Sequence, residues 1–154
     1  MGCDIHGYIE IKTGGSWREY AKLSLPRDYY VFSNMAGVRG NVPPKIKPKG
    51  LPQDCVCEDF WMFVSDEEED NCYYVTRESA QKLVDSKRSS YKDENKSWVS
   101  NPDWHTPSWL SYKEYKSIII ELKNEYSDLS EWEAVLAILK QFKDRGRFTF
   151  WFDN

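Results

Sequence analysis

Residues 3–11 alternate between apolar or small and polar side chains, and this alternation limits what the chain can fold into more than any other feature. Apolar or small residues occupy one parity: Cys3, Ile5, Gly7, Ile9 and Ile11. Polar residues occupy the other: Asp4, His6, Tyr8 and Glu10. Because successive side chains of a strand point to opposite faces of a sheet, the pattern predicts a half-buried strand with one polar face. Gly14 and Gly15 then predict a hairpin turn into a second strand over residues 16–23.

The last residues of the chain alternate as well. Phe148, Phe150 and Phe152 share one parity, and Thr149 and Trp151 share the other. Aromatic rings bury a large area each, so a terminal strand with this many rings is not expected to fray. We expect it to pair inside the sheet, beside the first strand.

Helical signals lie between these two strands. A helix is predicted over Asp28–Ala36, and Gly37 is expected to end it because glycine readily adopts the left-handed conformation. Two capping boxes predict the starts of two later helices: Ser111 with Glu114, and Ser130 with Glu133. A further helix is predicted over residues 77–88, and the polar residues 89–102 are predicted to be an exposed loop. The expected fold is α+β: an antiparallel or mixed sheet that includes the N-terminal and C-terminal strands and is covered by helices.

Size and charge narrow the class of protein. A chain of 154 residues has the size of one domain, so residues 1–154 are expected to form a single domain. The net charge of −4 argues against nucleic acid as a partner. No apolar run reaches the roughly 18 residues of a membrane span. The chain carries four cysteines and no secretory signal, so we expect reduced thiols and a cytoplasmic location.

Both histidines of the chain follow an aspartate by two residues, in Asp4-Ile5-His6 and Asp103-Trp104-His105. On a strand this spacing places both side chains on one face. If the two motifs meet, Asp4, His6, Asp103 and His105 form a ligand set for a divalent metal such as zinc or manganese, which would activate water. Otherwise each aspartate orients its histidine as a general base, or each histidine is a hydrogen-bonded structural group. Asp4, His6 and His105 are the candidate catalytic residues.

A basic loop and an acidic segment follow each other in the middle of the chain. Arg39, Lys45, Lys47 and Lys49 have no acid between them, whereas residues 54–70 hold eight acids and no base. The basic residues are candidates for holding a phosphate, with Arg39 best suited to a bidentate contact. The other interpretation is that both segments are solvated surface. The sequence contains no phosphate-binding loop, dinucleotide motif or zinc-protease motif.

Several short stretches along the chain resemble a family of small phage and bacterial proteins of unknown activity. They are the opening Met1-Gly2-Cys3-Asp4-Ile5-His6, residues 27–29 and 36–39, residues 49–52, residues 105–110 and residues 150–154. The resemblance implies a set of site residues rather than an activity. It also implies that the cytoplasm is that of a bacterial host cell.

These observations predict one candidate site and leave two functions open. Asp4 and His6 are expected to meet the loop that holds Asp103, His105 and Ser108, with Arg39, Lys49 and Asp153 nearby; Arg39, Lys49, Ser108 and Asp153 are the candidate ligand-binding residues. The first function is a site for a small anionic or nucleotide-type molecule, with metal-assisted hydrolysis of a phosphoester as the candidate reaction. The alternative is a non-enzymatic phage protein that inhibits or sequesters a host protein. Its acidic segment would then mimic the charge of a nucleic acid.

Overall fold

A computed structural model describes residues 2–50, 52, 54–55, 104–125 and 128–154, and four two-residue strands within 63–99. In chain order the elements are β1 (Asp4–Thr13), β2 (Ser16–Leu23), α1 (Tyr29–Ala36), β3 (Phe63–Val64), β4 (Tyr74–Val75), β5 (Tyr91–Lys92), β6 (Trp98–Val99), β7 (Trp104–Ser111), α2 (Tyr112–Lys123), α3 (Ser130–Phe142), a short 3-10 helix (Lys143–Arg145) and β8 (Gly146–Asp153).

The main sheet has four antiparallel strands in the order β2-β1-β8-β7. β1 and β2 form the predicted hairpin, and the turn residues Gly14 and Gly15 have φ angles of 60° and 84°. The last strand, β8, lies between β1 and β7, so the prediction of an internal terminal strand is confirmed. Two further strand pairs are small: β3 with β4 is parallel, and β5 with β6 is antiparallel.

One face of the sheet packs against α1, α2 and α3, the helices of the described part of the chain, and forms the core. From the sheet, the core contains Ile5, Ile9, Ile11, Leu110, Phe148, Phe150 and Phe152. From α2 and α3 it contains Tyr115, Ile118, Ile119, Leu122, Trp132, Val135 and Leu139. These helical residues recur every three or four positions, so each helix buries one stripe. The α+β fold with a helix-covered sheet is therefore the one that the sequence predicts.

Two of the three predicted helix ends form as expected, and the third does not. Gly37 closes α1 with a φ of 72°, and the Ser111–Glu114 capping box at the start of α2 is complete. Helix α3 does begin at Ser130, but it has no side-chain cap. The Ser130 hydroxyl instead donates to Asp128 Oδ1 at 2.9 Å, so the prediction of a second capping box is wrong.

Residues 104–111 form the edge strand β7, although the sequence interpretation placed His105 and Ser108 in a loop. The strand is irregular between these two residues, and Thr106 there has a φ of 51°. Pro107 has no N–H to donate to a ladder, so it breaks the alternation and is tolerated only on an edge strand. The segment 89–102 contains β5 and β6 and is not a loop throughout, whereas the predicted helix 77–88 lies outside the described residues.

Candidate functional site

The face of the sheet opposite the three helices carries the polar residues of the two terminal strands. In register order, Asp4, His6, Tyr8 and Glu10 of β1 stand opposite Asp153, Trp151, Thr149 and Arg147 of β8. Directly opposite residues of an antiparallel pair share a face. One row of side chains therefore runs from an aspartate-rich end at Asp4 and Asp153 to a second end at Glu10 and Arg147.

His6 and Asp153 are in direct contact at the first of these ends. His6 Nε2 lies 2.7 Å from Asp153 Oδ2, and the two side chains are 29% and 30% exposed. A carboxylate only accepts hydrogen bonds, so this contact requires the proton on Nε2 and leaves the Nδ1 lone pair for a second group. Nδ1 has no hydrogen-bond partner among the residues that the structure describes.

Two indole rings hold the imidazole of His6 in place. Its ring centroid is 4.7 Å from that of Trp104 and 5.8 Å from that of Trp151. The two indoles are themselves 5.1 Å apart, and both are buried. Packing on this side and the carboxylate on the other restrict the ring to one orientation.

Asp4 lies on the same face as His6, as predicted, but it is held by another residue. Arg27 Nε and Nη2 donate to the two oxygens of Asp4, both at 2.9 Å. This bidentate contact raises the pKa of Arg27 and uses both carboxylate oxygens. The aspartate that orients His6 is therefore Asp153, near the other end of the chain, and not Asp4.

Cys3 and Arg39 complete this end of the sheet. The Arg39 guanidinium donates to Asn154 Oδ1 at 3.1 Å, directly beyond Asp153 in the chain. Burial raises the pKa of the Cys3 thiol, and a hydrogen bond with Arg39 offsets this only in part. Cys3 is fully buried, so it stays a thiol and is unsuited to act as a nucleophile. We call His6, Arg39, Asp153 and Asn154 the sheet-end cluster; Cys3 borders it from the core side.

His105 does not join this cluster. It stands opposite Phe152, on the helix-covered parity of β8, and its ring centroid lies 6.1 Å from that of Phe152. Its Nδ1 contacts the hydroxyl of Thr106 at 2.8 Å. The two histidines therefore lie on opposite faces of the sheet, and the expected convergence of the two Asp-x-His motifs is corrected. The reason is the alternation of side chains along β7. Trp104 lies on the same face as His6, so His105, the next residue, lies on the opposite face. Asp103 lies outside the described residues.

The lysines of the basic loop and Ser108 are also placed elsewhere. Lys45 and Lys49 form ion pairs with Glu121 and Glu114 of α2, so they anchor the loop to that helix. Ser108 is buried, and its hydroxyl accepts the backbone N–H of Lys49 at 3.0 Å. Of the predicted ligand-binding residues, Arg39 contacts Asn154, the chain neighbour of Asp153, and the structure does not bring Lys49 or Ser108 to this end of the sheet.

The predicted metal ligands are not assembled in the part of the chain that the structure describes. Among those residues, no group of three or more His, Cys, Asp or Glu side chains is arranged to hold a metal ion. Arg27 occupies the carboxylate of Asp4, and His105 is on the other face. The run of acids at 66–70, on which the alternative of an inhibitory protein depends, lies outside the described residues.

A buried ion pair, which the sequence did not predict, lies at the second end of the face. Arg147 Nε donates to Glu10 Oε1 at 2.8 Å, and both side chains are at most 5% exposed. Arg147 also donates to Asp54 Oδ1 at 2.8 Å. A signal did exist, because Glu10 and Arg147 have opposite charges and lie in the two alternating segments near opposite ends of the chain.

No protein-family model, curated protein or solved structure matches this chain. Within the residues that the structure describes, no helix has the length and apolar character needed to cross a membrane. The candidate function therefore depends on the geometry of the described side chains.

Proposed function

We propose that the sheet-end cluster binds a small anionic molecule and that His6, oriented by Asp153, transfers a proton in the hydrolysis of a phosphoester bond. The contact of 2.7 Å between His6 Nε2 and Asp153 Oδ2 carries the proposal. A carboxylate that orients an imidazole is the arrangement by which many hydrolases make histidine a general base.

Arg39 is the group that would receive the anion. It has no carboxylate partner among the described residues, in contrast to Arg27, which Asp4 neutralises. Its backbone has a φ of 59°, a conformation that non-glycine residues seldom adopt and that is enriched at binding sites. A guanidinium can grip a phosphate through two parallel hydrogen bonds.

The tautomer of His6 assigns the roles of its two nitrogens. Nε2 carries the proton that Asp153 accepts, so Nδ1 is the atom that would take a proton from an attacking water. Asp153 stabilises the positive charge that forms on the ring. As the oxygen of water bonds to phosphorus, the ester P–O bond breaks, and the departing alkoxide takes a proton from solvent or from the imidazolium, which leaves an alcohol and the phosphate product. This proton transfer requires neither Asp4 nor His105, so it does not depend on the predicted metal-ligand set.

A thermal-shift screen tests the binding step. The compounds are phosphate monoesters, nucleotides, cyclic dinucleotides and sugar phosphates. A ligand of the native protein raises the Tm as its concentration exceeds its Kd. Arg39→Lys is expected to reduce the shift more than Lys47→Ala does, because lysine cannot reproduce a bidentate contact. Lys47 is the matched control, since it lies in the neighbouring loop and has no ion-pair partner in the described part of the chain. A Tm shift that survives Arg39→Ala contradicts the assignment of Arg39.

A hydrolysis assay tests the proton-transfer step. With a chromogenic phosphoester, His6→Gln is expected to lower kcat by about 100-fold or more, because a positioned general base contributes at least that much. Asp153→Asn should lower kcat as well, with a smaller effect on KM. Binding without hydrolysis would reject the catalytic role of His6 and leave a binding protein.

A further inference from the structure

A groove of about 620 Å³ lies at the other end of the same sheet face. Its walls include three aromatic residues, Trp17, Trp109 and Tyr112, and three cations, Lys113, Lys143 and Arg147. Along β8 the groove residue Arg147 is four residues from Trp151, the register partner of His6, which is about 14 Å. The groove is thus separate from the sheet-end cluster.

Cations on the rings hold both indoles of the groove in place. The Arg147 guanidinium carbon lies 3.9 Å from the centroid of Trp17. Lys49 Nζ lies 3.5 Å from the centroid of Trp109, and Glu114 holds that ammonium at 2.7 Å. Rings that are ordered before a ligand arrives lose little freedom when it binds.

The charges that line the groove are not all compensated. Arg147 is paired with Glu10 and Asp54, so its charge is balanced. Lys113 and Lys143 are exposed and have no ion-pair partner among the described residues. Among the lining side chains that the structure describes, Asp144 is the acidic one. An anionic group is therefore favoured over a neutral or cationic one.

From this geometry we infer that the groove binds a planar aromatic molecule that carries an anionic group, of the nucleoside monophosphate class. The volume falls within the range of small-molecule sites, roughly 300–1,000 Å³. Indole rings accept the face of any nucleobase by stacking, without reading its edge. The lysines supply the complementary charge for the phosphate. The inference stands independently of the proposed function.

Calorimetric titration with three related compounds tests whether the groove binds a nucleoside monophosphate. Adenosine monophosphate carries the base, the ribose and the phosphate; adenosine lacks the phosphate, and ribose 5-phosphate lacks the base. The monophosphate is expected to bind at least about tenfold more tightly than adenosine or ribose 5-phosphate. Its affinity should fall as salt increases, because the lysines are exposed.

Variants then locate the bound molecule. Trp109→Leu should weaken the monophosphate and adenosine together, and the double variant Lys113→Gln/Lys143→Gln should weaken the monophosphate but not adenosine. Lys140→Gln is the matched control, because it removes an exposed lysine of α3 that does not line the groove. If circular dichroism shows that Trp109→Leu perturbs the fold, the double variant Lys113→Gln/Lys143→Gln tests by itself whether the monophosphate binds in the groove.

Three outcomes would overturn the inference. The first is that none of the common nucleoside monophosphates binds. The second is that binding is unchanged in both the Trp109 and the lysine variants. The third is that binding is lost in His6→Gln or Arg39→Ala, because it would then belong to the sheet-end cluster. Conversely, if His6→Gln or Arg39→Ala abolishes phosphoester hydrolysis while the monophosphate still binds in the groove, that result shows two separate sites.

Discussion

His6 and Asp153 are 147 residues apart in the chain, yet His6 Nε2 and Asp153 Oδ2 are 2.7 Å apart in the fold. The antiparallel pairing of β1 with β8 creates this contact, because it sets Asp4 opposite Asp153 and His6 two residues further along. The diagonal neighbour on the same face is within reach of a side chain as long as histidine. The register of β1 with β8 therefore decides that Asp153 is the partner of His6.

The first prediction concerns the tautomer of His6. In the native protein, the neutral His6 ring should carry its proton on Nε2, because Asp153 accepts it. Long-range nitrogen–proton correlation spectra report this directly, and Asp153→Ala should increase the population of the Nδ1–H form. His105 is the internal control, since it lies on the other face of the sheet and should not respond. A native His6 ring protonated on Nδ1 would contradict the proposed roles of the two nitrogens.

The second prediction concerns the buried pair of Arg147 and Glu10. Arg147→Met leaves the Glu10 carboxylate buried without its guanidinium, which is expected to lower the free energy of unfolding by about 3–5 kcal/mol. Urea denaturation measures the loss. Arg27→Met is the control: it breaks the exposed pair with Asp4 and should have a much smaller effect, because solvent screens exposed charges. Equal losses in the two variants would show that burial does not decide the strength of these pairs.

The third prediction concerns the acid dependence of stability at Glu114. Burial acts to raise the pKa of this carboxyl, but hydrogen bonds from Lys49 and Ser111 outweigh burial, and the pKa lies below its ordinary value of 4.5. A pKa that is lower in the folded state stabilises the fold above the unfolded-state pKa, and the contribution is lost as the pH falls through the lowered value. The difference in unfolding free energy between the native protein and Glu114→Gln should therefore be largest near neutral pH and shrink in acid.

A matched carboxylate serves as the control for that experiment. Glu121 also pairs with a lysine of the basic loop, but its side chain is 60% exposed. Glu121→Gln should change the acid profile less than Glu114→Gln does. If the gap between native protein and Glu114→Gln stayed constant with pH, the two hydrogen bonds would not be the source of the stabilisation.

The fourth prediction concerns Gly7 in the middle of β1. A Cβ atom at this position would lie 2.8 Å from Cε2 of Phe148, closer than real carbon contacts allow. Gly7→Ala is therefore expected to lower the free energy of unfolding by about 1–3 kcal/mol, as overpacked cores do. The double variant Gly7→Ala/Phe148→Leu should lose less than the sum of the two single variants, because the smaller side chain relieves the clash. If the losses in unfolding free energy were additive, the contact between residue 7 and Phe148 would not be the source of the strain.

The local structure of this protein could be predicted because it depends on neighbouring residues. The two-residue alternation predicts β1 and β8, and the glycine pair predicts the turn into β2. Asp28 and Gly37 mark the ends of α1, and the hydroxyl of Ser111 marks the start of α2. At the helix ends the interacting groups lie within a few residues of one another, so a short stretch of sequence contains the whole interaction.

Local structure departs from the sequence pattern where two nearby groups compete for one hydrogen-bonding partner. Ser130 has the sequence of a capping residue, but Asp128 is near enough to accept its hydroxyl, and the predicted box does not form. In β7, Pro107 disrupts the alternation by which a strand is predicted.

Which side chains meet across the sheet was decided only by the tertiary structure. Alternation placed Asp4 and His6 on one face, but it could not show that Arg27 holds Asp4 and that Asp153 holds His6. It could not show that His105 faces the helices either, because the face of a residue in β7 depends on its register with β8. A shift of one residue in register exchanges the two faces of a strand, and register is set by the packing of the whole core. The sequence thus determined the strands β1, β2 and β8, the helices α1 and α2 and the alternation within β1 and β8, whereas long-range pairing determined the site.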